Sequence, residues 1–294
     1  MTNKKSAFLV IGSAMIYGIC PSLMKMTYAY GGDGFSVTFY TCLFALPALY
    51  VFARCTGASI LVPFKTLRKL SLLALGTAFT SLFLYSSYAY IPVGMATTLH
   101  YVYPAVIAAY LRLFFKEKMN LFQIAALILS IGGIALLSCN SLSGQSLIGI
   151  LLAVASGGAW AFYMVYMDKA DLSKLPAGTL NFYMALANVL CAGIACCLSG
   201  TFVWFNSISI WILLIFLGIF QRMVGNAMFQ VGLRGTSSFA AGIFSTFEPI
   251  TSVLIGVIFL NERFSILQAV GMLLILSGIF CGTCSPQKKA MGAV

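Results

Sequence analysis

Three ionisable side chains lie deep within long apolar stretches of the sequence: His100, Arg222 and Glu248. Such a residue is costly inside a membrane segment and is usually functional, because it must face a partner or a water-filled cavity. Arg222 can bind an anionic group such as a carboxylate in bidentate fashion. Glu248 and His100 can take up and release protons. The sequence leaves open whether Arg222 and Glu248 instead form a buried ion pair that fixes helix packing.

Polar and aromatic side chains recur at helical spacing around these residues. Asn226 follows Arg222 by one turn, and Ser245 precedes Glu248 by one turn. Aromatic walls with a few polar groups suit small organic ligands, although such side chains also occur where helices pack or reach the lipid interface. The aromatic residues that complete the candidate substrate-binding site are Tyr17, Tyr85, Trp160 and Tyr163.

No catalytic or metal-binding motif accompanies these residues. The chain has 1 histidine, and it contains neither HExxH nor GxSxG. Cys281 and Cys284 have the CxxC spacing of redox and metal sites, but no second pair or nearby histidine joins them. A lone histidine such as His100 is at least as often a hydrogen-bonded core residue. We therefore expect no enzyme, no metal site and no cofactor.

The composition indicates an all-α membrane protein. Of the 294 residues, 61% are hydrophobic and 8% are charged, whereas a soluble domain has roughly 25% charged residues. The net charge of +11 would suit nucleic acid if the basic residues lined one face. They instead stand in short blocks between apolar runs, which is typical of loops at the cytoplasmic face. We therefore expect a lipid bilayer as partner and no nucleic acid.

Hydropathy predicts ten transmembrane helices, each about 20 residues long. Fourteen of the 17 basic residues fall on one side if these segments alternate in direction; Lys25 and Arg263 fall on the other side, and Arg222 lies within a segment. This bias predicts that both termini are cytoplasmic. The predicted segments are 6–26, 35–53, 70–90, 95–115, 120–139, 147–167, 177–199, 208–231, 237–259 and 265–284.

The two halves of the chain repeat each other at an offset of 145 residues without a gap. The matching pairs are Pro104 and Pro249, Glu117 and Glu262, Lys118 and Arg263, Gln123 and Gln268, and Gly133 and Gly278. Because the offset spans five helices, an odd number, the second half is predicted to be inverted in the membrane. Inverted repeats are common in secondary transporters. We expect five-helix repeats at 1–145 and 146–294 around a central cavity.

The order and spacing of these residues resemble the ten-span EamA-type branch of the drug/metabolite transporter superfamily. The residues that carry the resemblance are Pro104 and Glu248-Pro249 within the fourth and ninth spans, and Glu117-Lys118 and Asn261-Glu262-Arg263 at their ends. One departure is Tyr17, which stands near where such proteins often have Trp, although Trp160 is present in the second half. The resemblance implies ten helices around a central cavity and alternating access.

These features predict a secondary transporter for small organic solutes in the cell membrane. The resemblance favours amino acids or related metabolites and export, and protons are a candidate coupling ion. Organic cations, drug-like compounds or nucleobase-type metabolites form the alternative, bound by Glu248 and the aromatic walls; a channel or a membrane scaffold is less well supported. Lys25 and Lys169 are expected to extend to lipid headgroups, and Glu117 and Glu262 to anchor helix termini or form gates. The oligomeric state is not predicted.

Overall fold

The regular secondary structure of the chain is helical. A computed structural model describes residues 4–116, 121–139, 144–170, 172, 175–234, 244–245 and 247–283. Within these ranges every regular element is a helix and no strand occurs. This confirms the all-α class for the described part of the chain. The predictions for Glu117 and Lys118 lie outside the described residues.

The described helices follow the predicted apolar segments along the chain. A short 3₁₀ turn, Thr27–Tyr30, follows the first helix, and a π-helical turn, Phe220–Gly225, joins α9 to α10. The helices are α1 Lys4–Met26, α2 Gly34–Cys55, α3 Phe64–Ser87, α4 Val93–His100, α5 Tyr103–Phe115, α6 Leu121–Cys139, α7 Gly144–Lys169, α8 Ala177–Ser199, α9 Ile208–Ile219, α10 Asn226–Arg234, α11 Phe247–Leu260 and α12 Ile266–Thr283.

Six of these helical stretches are long and apolar enough to cross a membrane. Shorter apolar helices occur at Ile124–Gly133, Phe247–Leu260 and Ala269–Gly278. Large apolar side chains cover the outside, and Leu198, for example, is 84% exposed. A surface of this kind suits lipid rather than water. The six stretches are Lys4–Tyr30, Gly34–Cys55, Phe64–Ser87, Ser146–Met167, Ala177–Ser199 and Ile208–Phe229.

Two of the predicted segments are interrupted, where the sequence predicts continuous helices. The fourth segment divides at Tyr101 and Val102 into α4 and α5. Pro104 explains this break, because in a continuous helix it could not donate a hydrogen bond to the His100 carbonyl oxygen and its ring would clash with that carbonyl, whereas proline is tolerated in the first turn of a new helix. The eighth segment contains the π-helical turn. Both interruptions bring candidate site residues with them, since α4 ends at His100 and the π turn includes Arg222.

Helices α5 and α11 end in the same backbone conformation. Lys116 and Asn261, which directly follow them, both have a positive φ, 54° and 52° respectively. Left-handed residues are common just beyond a helix C-terminus, although they are usually glycine. After Asn261 the chain turns back, and the Glu262 amide donates a hydrogen bond to the Gly256 carbonyl oxygen over 3.0 Å. Lys116 and Asn261 are 145 residues apart, which is the offset of the sequence repeat.

Helices of the first half pack against helices of the second: α6 on α12, α2 on α8, α1 on α11 and α3 on α7. The contact between α6 and α12 follows the symmetry of the sequence repeat. A β-carbon at Gly133 would lie 2.6 Å from the Gly271 carbonyl oxygen, and one at Gly278 would lie 3.0 Å from that of Ala126. The partner number falls as the residue number rises, so these two helices run antiparallel. The repeat offset of 145 relates Ala126 to Gly271 and Gly133 to Gly278, so the repeat converts each of the two contacts into the other.

Candidate functional site

His100 ends α4 and packs against α7. Its Nδ1 lies 3.0 Å from the hydroxyl oxygen of Ser156, and this hydroxyl donates to the Ala153 carbonyl oxygen over 2.6 Å. Because a hydroxyl has only one proton to donate, Nδ1 of His100 must be the donor in its bond to Ser156. A neutral His100 then has an unprotonated Nε2, which can accept a proton. His100 is thus a hydrogen-bonded core histidine whose second ring nitrogen can still accept a proton.

An aromatic wall surrounds His100. The ring centroid of Trp160 lies 4.7 Å from that of Tyr163, with the two rings tilted by 32°, and 6.2 Å from that of His100. Tyr101 and Tyr103 extend the wall across the break between α4 and α5, with their ring centroids 5.4 Å apart. The structure therefore brings together the predicted pair from the sixth segment and the predicted histidine from the fourth.

Glu248 lies in the first turn of α11 and faces the same break. Its Oε2 accepts a hydrogen bond from the Tyr101 hydroxyl over 2.7 Å. The same hydroxyl lies 3.1 Å from the Ser245 carbonyl oxygen, so Ser245 takes part through its backbone. Pro249, which follows Glu248, has no amide proton and is tolerated in the first turn of the helix. The Glu248 carboxylate thus lies at the break between α4 and α5.

Arg222 projects from the π-helical turn between α9 and α10. One of its terminal nitrogens, Nη2, donates to the Ser81 hydroxyl over 3.2 Å, and its Nε has no hydrogen-bond partner among the described residues. The Asn226 side-chain amide donates to the Arg222 carbonyl oxygen over 2.8 Å, and the Tyr17 hydroxyl donates to the amide oxygen of Asn226. Turns of this type occur often at functional sites. Here the turn carries an arginine whose bonding capacity is only partly used.

The two central charges do not pair with each other. Glu262 pairs with Lys25, whereas Arg222 and Glu248, both within the described part of the chain, do not form the direct ion pair that the sequence allowed. The Tyr17 hydroxyl is within electrostatic range of both Arg222 and Glu248. Each charge has a hydroxyl group as its side-chain partner.

Three of the nine residues predicted for the site, Tyr85, His100 and Tyr163, are buried, and the other six are partly buried. They come from α1, α3, α4, α7, the π turn, α10, α11 and the residues that precede α11. Tyr85 on α3 is buried and its hydroxyl lies 3.5 Å from the Gln221 side-chain oxygen, beside Arg222. Sequence reasoning missed Tyr101, Tyr103 and Gln221. Both tyrosines follow His100 and precede Pro104, which is a signal for a break in the helix but not for a role of either tyrosine. Nothing in the sequence distinguished Gln221.

Lys25 forms an ion pair within the protein, a contact that the sequence did not predict, while its reach to the lipid headgroups stays a prediction. Its Nζ lies 3.1 Å from Oε1 of Glu262, and this carboxylate also accepts a hydrogen bond from the Val93 amide over 2.7 Å. Glu262 thereby satisfies an amide at the start of α4, where the preceding Pro92 provides no side-chain cap. The prediction that Glu262 anchors a helix terminus is confirmed. The described residues contain no group of three or more His, Cys, Asp or Glu side chains that could hold a metal ion.

The fold and its interior cluster define a helical membrane protein with charged side chains at interrupted segments, as carriers have. The chain belongs to the EamA-like transporter family, whose model matches residues 4–139 and, a second time, residues 147–283. The protein is therefore a membrane transporter with several spans, of the drug/metabolite transporter kind. Transporters of this kind are generally not enzymes.

Similar proteins are known in bacteria and archaea. The uncharacterized transporter YvbV of Bacillus subtilis (strain 168) is 26% identical over 210 residues, which cover 68% of this chain and 67% of that one. An uncharacterized transporter of Archaeoglobus fulgidus is 26% identical over 275 residues, covering 92% and 93% of the two chains. One solved crystal structure matches with a TM-score of 0.66 and 20% identity over 96% of this chain and 98% of its own. That likeness shows the fold alone.

Proposed function

We propose that this transporter carries amino acids or related small metabolites by alternating access, with export as its direction. The observation that carries the proposal is the Arg222 side chain, which lies in the interior on a π turn with its Nε unpartnered among the described residues. Leaving a charged donor inside the protein without a partner is costly. A solute carboxylate would satisfy this donor and pair with the guanidinium in its preferred bidentate geometry.

The side chains around Glu248 suit the ammonium group of an amino acid. Glu248 has the Tyr101 hydroxyl as its side-chain partner, so its charge is available to an ammonium group. Trp160 and Tyr163 offer an aromatic wall of the kind that lines small-molecule sites. A zwitterion can therefore bridge two opposite charges that do not neutralise each other in this structure.

Alternating access is supported by signs of an inverted repeat. The family model matches the chain twice, and the antiparallel contact between α6 and α12 exchanges under the offset of 145. A two-fold axis that relates two antiparallel helices is perpendicular to both. For helices that cross a membrane, this axis lies in the membrane plane. We propose ten spans, with repeats at 1–145 and 146–294, and both termini on the cytoplasmic side of the cell membrane.

Protons are the proposed coupling ion. Glu248 is bonded to a neutral hydroxyl rather than to a cation, so its protonation breaks no ion pair. The bond of His100 to Ser156 leaves Nε2 unprotonated in the neutral form of the ring. Either residue can therefore exchange a proton as the solute binds or leaves.

An organic cation is the second candidate substrate. Glu248 with the aromatic wall of His100, Tyr103 and Trp160 could hold a flat cation through charge and ring contacts. Drug-like compounds and nucleobase-type metabolites fall in the same class. This alternative leaves Arg222 without a ligand, which is why we place it second.

A substrate screen followed by a flux assay tests the proposal. Purified protein is first screened by thermal shift against amino acids, organic cations and purines, and the stabilising compounds are then assayed by counterflow in proteoliposomes. We expect amino acids to stabilise the protein and Arg222→Gln to weaken their binding about tenfold to hundredfold, the value of a charge-assisted hydrogen bond. Arg222→Lys keeps the charge but not the bidentate geometry, so we expect an intermediate loss. Stabilisation by cations alone, unchanged in Arg222→Gln, would favour the second candidate.

A further inference from the structure

Helices α4 and α11 stay in contact from the central cluster to the Lys25 end of the protein. Beyond the Tyr101–Glu248 hydrogen bond, the hydroxyl groups of Thr97 and Ser252 lie 3.1 Å apart, and both residues are buried. The contact continues one turn further, where a β-carbon at Gly94 would lie 2.7 Å from the α-carbon of Val253. We call this line of contacts the α4–α11 seam.

Helix α1 closes the seam from the side. A β-carbon at Gly18 would lie 2.6 Å from the Glu248 carbonyl oxygen and 2.7 Å from the β-carbon of Thr251. Cys20, half a turn further along α1, is completely buried and lies within electrostatic range of Arg222 and Glu248. Helix α11 therefore packs closely against the backbones of α1 and α4 between the central charges and the Lys25 end of the protein.

The far end of the seam carries the ion pair of Lys25 and Glu262. The Glu262 carboxylate holds α1 through Lys25 and α4 through the Val93 amide, while its own backbone follows α11. Its side chain is 5% exposed, against 25% for Lys25. Gly256 makes this position possible, because a β-carbon there would lie 2.3 Å from Oε2 of Glu262. One carboxylate thus joins three helices at the point where the seam reaches the surface.

We propose that the α4–α11 seam is the outer gate of the transport path and that Lys25 and Glu262 are its latch. The proposal rests on the transport function proposed above, because a central site needs a way out on each side. In the proposed orientation the C-terminal end of α1 faces outward. The structure is then closed on the outside, and opening there requires α4 and α11 to separate and the Lys25–Glu262 pair to break.

Labelling of Cys20 tests the latch without any transported solute. A variant that keeps Cys20 as its only cysteine is treated from outside with a membrane-impermeant maleimide in intact cells. Glu262→Gln keeps an acceptor for Val93 but removes the charge, and Lys25→Gln removes its counterpart. We expect both substitutions to raise the labelling rate about tenfold, equivalent to roughly 1.4 kcal/mol. Arg263→Gln, an equal loss of charge at the exposed neighbouring residue, should leave the rate unchanged.

Cross-linking tests the gate itself. In a cysteine-free background, Thr97→Cys with Ser252→Cys places two sulfurs where hydroxyls lie 3.1 Å apart, close enough for a disulfide after small adjustment. We expect oxidation to abolish counterflow of a radiolabelled amino acid mixture and reduction to restore it. The matched control is Ser36→Cys with Cys196 retained, which cross-links α2 to α8 at a pair 3.9 Å apart and should leave flux intact.

The outcomes separate this proposal from the transport function. Counterflow that persists in the oxidised Thr97–Ser252 pair, or Cys20 labelling that is equal in all latch variants, overturns the gate. If the reduced protein shows no flux of amino acids, the proposed substrate class fails, while the labelling result still decides the latch.

Discussion

The charged side chains at the centre of this protein contact hydroxyl groups rather than each other. Arg222 donates to Ser81 and Glu248 accepts from Tyr101. A direct ion pair would have to break before a solute could use either charge, and breaking a buried pair costs several kcal/mol. Hydroxyl partners hold the side chains in position while leaving their charges available, which favours binding over a purely structural role.

Glu248→Gln separates proton coupling from solute binding. The amide keeps the size of the side chain and an oxygen that can accept from Tyr101, but it cannot release a proton. Because the ammonium group of the solute loses its ionic partner, we expect counterflow to continue but to require a higher amino acid concentration. Accumulation against a gradient, driven by an imposed pH difference, should fall to the background of empty liposomes at every concentration. Both are measured in proteoliposomes with radiolabelled solute.

Tyr101→Phe serves as the control for that experiment, since it removes the hydroxyl partner but keeps the carboxylate of Glu248. This variant should still accumulate solute when a pH difference is imposed. Accumulation by Glu248→Gln at the level of the unmodified protein would contradict a role for this carboxylate in coupling.

The sequence revealed the central residues unevenly. A charged residue within an apolar run is conspicuous, so Arg222, Glu248 and His100 could be identified without a structure. Tyr101 and Tyr103 could not be distinguished from the many tyrosines that lie at lipid interfaces. The partnership of Lys25 with Glu262 joins residues 237 positions apart, and no local pattern indicates a contact of that range.

At the scale of helices, the two interrupted segments position candidate site residues: α4 ends at His100, and the π turn contains Arg222. Window hydropathy cannot detect the division of the fourth segment, because α4 and α5 are both apolar. Pro104 was the only signal of it. The π turn in the eighth segment has no sequence signal at all, since it changes the hydrogen-bonding register without changing composition. Both interruptions place a site residue at non-regular backbone, which is tolerated in a membrane where protein or a cavity surrounds it.

The contact between α6 and α12 predicts different effects of substitution at two adjacent glycines. A β-carbon at Gly133 would lie 2.5 Å from the Ile275 side chain and 2.6 Å from the Gly271 carbonyl oxygen, whereas one at Gly132 meets nothing within 4 Å. We expect Gly133→Ala to lower the free energy of unfolding by about 1–3 kcal/mol, the usual cost of overpacking. Thermal unfolding in detergent measures the change.

Gly132→Ala is the matched control, with the same chemical change one residue away. It should be neutral or slightly stabilising, because alanine favours helix over glycine by about 1 kcal/mol. Equal destabilisation by both substitutions would mean that the helix, rather than its contact with α12, is sensitive to the added methyl group.

For the whole molecule, the repeat was the most informative feature of the sequence. At an offset of 145 the two halves share proline, glutamate and glutamine residues, which chance rarely aligns. Lys116 and Asn261 are related by the same offset and both have a positive φ. Hydropathy alone would have given only a count of apolar segments. What could not be predicted is how the halves meet, because the pairing of α2 with α8 or of α1 with α11 depends on packing between residues far apart in sequence.

The inverted relation between the halves makes a prediction that a parallel duplication does not. Leu121 begins α6 and Ile266 begins α12, 145 residues later, and both side chains are exposed, at 79% and 86%. In an inverted repeat these equivalent positions lie on opposite sides of the membrane, with Ile266 outside and Leu121 in the cytoplasm. In a cysteine-free background, Ile266→Cys should therefore react with a membrane-impermeant maleimide in intact cells. Leu121→Cys should react only after permeabilisation, and reaction of both from the same side would exclude inversion and, with it, the basis for alternating access proposed here.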